Sequence, residues 1–320
     1  MRTTQTTGRC STPQDGGLRS LRQGLLVCAV SFAALAAGLG GPQGLSCVAQ
    51  AADVSPSVYA PISPQRMSDA MKVLGSDAFE GRAPGSPGEA RTVAWLIEQY
   101  KQIGLEPAGE NGGWTQRVPL QHTRVGKPDL LQVAYAKNTL PLEQTKDVYF
   151  TTGRGVDRLK IQNAPLVFVG YGVHAPERGW DDFKGVDLKG KIAVFLINDP
   201  DFDAKPDETV AGKFGGRAMT YYGRWTYKYE EAARRGAIGA LIVHDTAGAA
   251  YEWSTVIAPG GESFDIAQSG ENQPVLMQGW ISTPAATKVF AQAGLDLPAL
   301  RVQARQASFK PVTLPKARFS

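Results

Sequence analysis

The sequence predicts a mixed fold, α/β and α+β, in which a helical front segment leads into a β-rich segment holding a strand–helix–strand unit. Three observations predict it. Apolar residues recur at helical spacing over 64–74 and 87–103. Continuous apolar runs at 191–197 and 240–243 are of the buried-strand type and bracket a helical stretch at 221–235. Shorter alternating runs, set apart by glycine and proline, read as further strands. With 320 residues, 42% of them hydrophobic and 20% charged, the chain suits a leader followed by one or two folded domains.

The first 51 residues read as an export signal. Arg2, Arg9, Arg19 and Arg22 precede an apolar stretch at 25–39, no acid occurs between Asp15 and Asp53, and Ala49-Gln50-Ala51 offers a small-residue cleavage site. The apolar run is about 15 residues, short for a membrane span. A lipid anchor on Cys47 is the rival reading, but Gly44-Leu45-Ser46 is a poor match to the sequence such anchoring needs. The leader holds four of the 34 basic residues and one of the 30 acids, leaving 30 against 29 and a charge near +1. The basic balance therefore belongs mostly to the leader, and there is no electrostatic ground for a nucleic-acid partner. Cys10, Cys28 and Cys47 all lie in it as well, so the exported product has no disulfide and no thiolate and depends on its core. The expected location is exported, periplasmic or secreted, with no membrane span once the signal is removed.

A Pro-containing linker, 52–62, precedes Ser63-Pro64, where Pro at the first helical position and Met67, Ala70, Met71 and Leu74 on one face predict a helix closed by Gly75. The charged, Pro- and Gly-rich loop at 76–89 ends in Ser86-Pro87-Gly88-Glu89, a capping box. Ala90, Val93, Ala94 and Ile97 continue the second helix until Gly104 and Pro107 stop it. Short strands are expected between Trp114 and Tyr135, at 148–151 and at 166–169; then come the buried strand at 191–197 and a loop at 199–216. In the 221–235 helix Glu230–Arg234 and Glu231–Arg235 are i,i+4 pairs and Gly236 ends it. A strand at 275–277 follows the Gly/Ser/Gln-rich loop at 258–273, Ser282-Thr283-Pro284 opens a last helix to about Ala293, and the tail shows alternating patches without a closing element.

Most candidate motifs favour structural readings. Gly170-Tyr171-Gly172-Val173-His174-Ala175 matches G-x-G-x-x-A, but Pro176, Gly179 and Asp181-Asp182 follow instead of a helix, so the glycines are expected to serve a hairpin rather than a dinucleotide. His122, His174 and His244 stand apart in sequence, and without cysteine they do not make a zinc-ligand pattern; His244 reads as locally bonded at a core edge. Asp199-Pro200-Asp201-Phe202-Asp203 spaces three carboxylates like a calcium loop but has Ala204 and Ala211 where the glycine and the bidentate acid belong, so it reads as a solvated loop. Tyr222, Trp225 and Tyr229 form a stripe expected to be buried, with carbohydrate stacking as the rival. No G-x-S-x-G elbow is present for a serine hydrolase. In the 76–89 loop Glu80 and Arg82 either pair locally or face a substrate.

Two long stretches carry a resemblance. "LGSDAFEGRAPGSPGEARTVAWLIEQYKQIGLEP" resembles the N-terminal signature of the exported di-zinc aminopeptidases, related to leucyl aminopeptidase and glutamate carboxypeptidase. "APLVFVGYGVHAPERGWDDFKGVDLKGKIAVFLINDPDF" followed by "GRAMTYYGRWTYKYEEAARRGAIGALIVHD" resembles the protease-associated (PA) domain inserted in many members. After the signal at 1–51, the resemblance implies the N-terminal fragment of a parallel-sheet zinc-peptidase domain at 52–139, the PA domain at 140–295, and a truncated return into the peptidase domain at 296–320.

The family is a group of metallopeptidases, hydrolases in which two zinc ions share a bridging water that attacks the scissile carbonyl while a carboxylate takes its proton. Its ligands follow the inserted domain. No residue of this chain matches them, so no catalytic or metal residue is expected here, no cofactor is expected in the chain itself, and two zinc ions are expected only in a full-length enzyme. The resemblance makes peptide substrates or a downstream peptidase segment the expected partners. Two other functions compete: a non-catalytic peptide- or protein-binding module based on the PA domain, and a hydrolase of another class using Asp181, Asp182 or His244.

Overall fold

A computed structural model describes residues 62–128, 130–267 and 273–320. The expected signal, most of the linker and the centre of the 258–273 loop lie outside the described residues. The chain divides into two compact units at Arg66/Met67, and the architecture below is that of the second, Met67–Ser320.

Helices α1 (Pro64–Leu74) and α2 (Pro87–Gln102) form where the apolar spacing predicts them. The Ser86 hydroxyl accepts the Glu89 amide at 3.2 Å. The return arm of the cap is displaced by one residue: Glu89 accepts from the Gly85 amide at 2.6 Å, because the Ser86 amide already donates to Ala83. There follow β1 (Leu120–Arg124), β2 (Gln132–Ala134), β3 (Thr139–Pro141), β4 (Val148–Thr151), β5 (Ala164–Phe168), β6 (His174–Ala175), β7 (Trp180–Asp181) and β8 (Ile192–Leu196). Next come α3 (Trp225–Arg234), β9 (Gly239–Val243), α4 (Thr246–Ala249), α5 (Trp253–Ile257), β10 (Glu262–Ile266), β11 (Met277–Ile281), α6 (Thr283–Gln292), α7 (Leu297–Ala304) and β12 (Val312–Phe319).

Eight strands make one mixed sheet in the order β3-β2-β12-β5-β8-β9-β11-β4. β5, β8, β9 and β11 run parallel at its centre, and antiparallel strands flank them on both sides. The expected strand–helix–strand unit is β8-α3-β9. β8 and β9 are apolar and buried throughout because both sheet faces are covered there. Ile192, Val194 and Leu196 of β8 join one core layer with Ala286, Phe290 and Leu300 of α6 and α7. Ala193 and Phe195 join the opposite layer with Tyr229 and Ala232 of α3 and with Phe183. Gly279 lets β11 lie against β4, since a Cβ there would stand 2.3 Å from the Tyr149 carbonyl.

The tail departs from expectation. It supplies a helix, α7, and an eight-residue strand, β12, that lies between β2 and β5. Sequence periodicity conceals β12 because Pro315 and a left-handed Lys316 interrupt it, and its register on β5 shifts between Thr313 and Arg318. The sheet therefore takes strands from both sides of residues 139 and 295. The front helices are different: no residue from Met67 to Val118 belongs to either core layer, and Met67, Met71, Ile103 and Leu105 are exposed.

Candidate functional site

The parallel strands β5, β8 and β9 end at the same side of the sheet, where open α/β proteins hold their ligands. Lys228 of α3 organises that side. It is fully buried, and its ammonium donates to the carbonyls of Tyr171 (2.6 Å), Tyr222 (2.7 Å) and Asn198 (3.1 Å). All three N–H groups are thus used, tying the turn after β5 and the long connection after β8 to the helix. Burial lowers its pKa to about 8, while Asp199 and Asp182 act in the opposite sense. Asp182 is buried too and accepts from the Val173 amide (2.9 Å) and the Trp180 indole (2.8 Å). Burial pushes its carboxyl up to about 7 against those bonds and the Lys228 charge.

The acidic stretch at 199–203 corrects the expectation of a solvated loop. Asp199 and Asp201 are buried. Asp199 accepts from the Thr220 amide (2.7 Å) and hydroxyl (2.8 Å), and Asp201 Oδ2 accepts from the amides of Phe214 (2.9 Å) and Gly216 (3.2 Å). The reason is topological: the connection from β8 to α3 folds over the strand ends, and its irregular backbone needs internal acceptors. Nothing in the local spacing of these acids signals that burial.

Helix α7 and the residue that ends it bring two arginines, four residues apart, to carboxylates that follow different strands. Arg301 meets Asp245, just after β9, at 2.8 Å; Arg305 holds Glu208, in the connection after β8, through Nε at 2.9 Å and Nη2 at 3.0 Å. The Arg305 bonds hold the Glu208 carboxyl below its usual range. For Asp245 burial acts upward, but the Gly248 amide and Arg301 outweigh it and the carboxyl is held low. Tyr171, whose hydroxyl burial pushes up to about 12, feels both arginines. Between α7 and the 208–209 loop opens a cleft of about 440 Å³, lined by Glu208, Thr209, Val302, Arg305, Gln306 and Ser308 among others. Its volume lies in the range of small-ligand sites. Sequence reasoning missed this cleft; the only local signal was the i,i+4 arginine pair of a helix that was not foreseen.

The residues singled out in the sequence lie elsewhere. Glu80 is exposed and pairs with Arg91 at 2.6 Å, and Arg82, also exposed, donates to the Leu74 carbonyl; neither lines the cleft. Gly170 and Gly172 both have φ of 61°, and a Cβ on Gly172 would stand 2.3 Å from the Phe195 ring, so these glycines serve a turn and close packing ahead of the β6–β7 pair. In the aromatic stripe Tyr229 is buried and Tyr222 half-buried, but Trp225 is exposed.

The zinc chemistry that the resemblance implies does not fit this donor set. His122 pairs with Glu262 (2.6 Å), His174 lies 3.5 Å from Asp181, and buried His244 shares a hydrogen bond with the Tyr251 carbonyl (3.0 Å). Among the described residues no group of three His, Cys, Asp or Glu side chains could hold a metal ion.

No family's sequence profile matches the chain, and no curated protein matches it. Among solved structures it is similar to an aminopeptidase from Aneurinibacillus sp. strain AM-1, with 17% identity and a TM-score of 0.30 over 80% of this chain and 45% of that one. It is also similar to BSAP, a zinc aminopeptidase from Bacillus subtilis, with 18% identity and a TM-score of 0.21 over 53% of this chain and 31% of that one. The chain thus spans less than half the length of either neighbour, and likenesses this distant carry no argument about its activity. What the structure defines is a mixed α/β protein with a large mixed sheet, in which no described helix is long and apolar enough to cross a membrane.

Proposed function

We propose that this chain is the N-terminal part of an exported, zinc-dependent aminopeptidase-like metallopeptidase, comprising its front helices and a PA-type domain, and that alone it binds peptide without hydrolysing it. Two sequence segments in the family's order support the first half. The observation that carries the second is the cleft between α7 and the 208–209 loop, which gathers hydrogen-bonding side chains but, among the described residues, no set of His and carboxylates suited to zinc. In the complete enzyme the two zinc ions are held by residues outside this chain. The exposed side chains of α1 and of the turn that ends α2, Met67, Met71, Ile103 and Leu105, are covered by that further peptidase segment, and Glu80 and Arg82 face the substrate.

The test is to incubate the purified chain with zinc and an aminoacyl-p-nitroanilide. No turnover and no stoichiometric retention of zinc are expected; turnover that a chelator abolishes would overturn the reading. The second reading, a self-standing peptide- or protein-binding module, is favoured by the same cleft. It requires that the isolated chain binds its partner with no other peptidase segment present.

A further inference from the structure

We propose that the cleft between α7 and the 208–209 loop binds the carboxylate end of a short peptide on the free edge of the Arg305 guanidinium. This rests on the peptide-binding reading above and names the site and the chemistry it selects. Glu208 occupies Nε and Nη2 of Arg305, and the third nitrogen, Nη1, makes no hydrogen bond among the described residues. The bidentate contact fixes the plane of the guanidinium, so that unused N–H groups are already oriented before a ligand arrives. Thr209, Gln306 and Ser308 line the same cleft, and among the described residues their side chains make no hydrogen bond.

The ligand class follows from this inventory. The cleft's positive charge has a vacant edge, whereas its negative charge, Glu208, is already engaged by Arg305; a carboxylate therefore finds a donor fork and an ammonium finds no free acid. Two hydroxyls and a primary amide both donate and accept, which matches the alternating N–H and C=O of a peptide backbone rather than a compact inorganic anion. Val302, half-exposed at 50%, supplies an apolar wall for a side chain. The neighbouring turn is fixed as well, since Asp245 holds Arg301 in place one helical turn earlier.

The test is titration of the purified full chain at low salt with N-acetyl-dialanine, with its C-terminal amide, and with acetate, followed by isothermal calorimetry and amide NMR shifts. The free acid is expected to bind at least about tenfold more tightly than the amide, as loss of a charge-assisted bidentate contact requires. Arg305→Met is expected to remove that preference. Because Arg305→Met also unpairs Glu208, a second variant that leaves the pair intact, Val302→Glu at the exposed wall, is expected to weaken the acid by a similar factor without altering thermal unfolding. Equal binding of acid and amide, no saturable binding of the acid, or binding unchanged in Val302→Glu would overturn the proposal. Acetate binding as tightly as the peptide would overturn its peptide part. Chelator-sensitive hydrolysis would instead sink the reading of the previous section and leave this titration untouched.

Discussion

Lys228 and Asp182 show how single residues hold the strand ends together. Replacing Lys228 by methionine keeps the length of the side chain but leaves the carbonyls of Tyr171, Asn198 and Tyr222 without their donor. The expected loss, read by urea unfolding at neutral pH, is about 3–5 kcal/mol, the cost of breaking a buried polar cluster from one side. Asp182 sets a pH dependence. Its folded pKa of about 7 lies above the ordinary value of 3.8 for an aspartate, so over that interval the folded protein retains a proton that the unfolded chain has released. That contribution is fully present below about pH 4 and is lost as pH rises through about 7. Asp182→Asn does not titrate, so its stability relative to the wild type should increase from pH 4 to pH 7. A relative decrease over that window would mean that Asp182 is held as a carboxylate.

At the scale of elements, α7 and β12 are the pieces on which the cleft depends. Asp296 caps α7 by accepting the Ala299 amide at 3.1 Å. Asp296→Ala should cost about 1 kcal/mol of stability and loosen the helix that carries Arg301 and ends at Arg305. Ser86→Ala removes a cap of the same kind from α2, but that helix contributes nothing to either core layer. The two variants should therefore separate in a thermal melt followed by tryptophan fluorescence: Asp296→Ala lowers the main transition and Ser86→Ala leaves it in place. β12 is a stronger case, since Leu314, Ala317 and Phe319 are buried and the strand joins β2 to β5. A chain ending at Ala304 should be insoluble or fail to show a cooperative transition.

Across the whole molecule, stability is unevenly distributed. Both core layers are built from residues 133–319, while α2 packs chiefly on the 3₁₀ turn Asp77–Arg82 that precedes it, and both front helices keep large apolar side chains in water. Limited proteolysis should cut first within 76–118 and leave a resistant product that extends to the last strand. Equal protection of the front helices and the sheet would show that their exposed faces are covered in solution.

How much of this was legible varies with the range of the interactions. The caps at Ser86 and Ser282, the stop at Gly236, the Glu231–Arg235 pair and the apolar runs of β8 and β9 were readable because each depends on neighbours a few residues away. The burial of Asp199 and Asp201, the three-way hold of Lys228 and the fork of Arg305 on Glu208 were not. Their partners lie between 6 and 97 residues away, and no periodicity records such distances.

By itself, then, the sequence determined α1, α2, α3 and α6, the buried strands β8 and β9 and the mixed α/β class, because local spacing states which faces must leave water. Tertiary structure alone decided that the tail completes the sheet and that two arginines meet acids from different strand ends. The physical reason is that a buried charge is stable only where the whole fold delivers its partner.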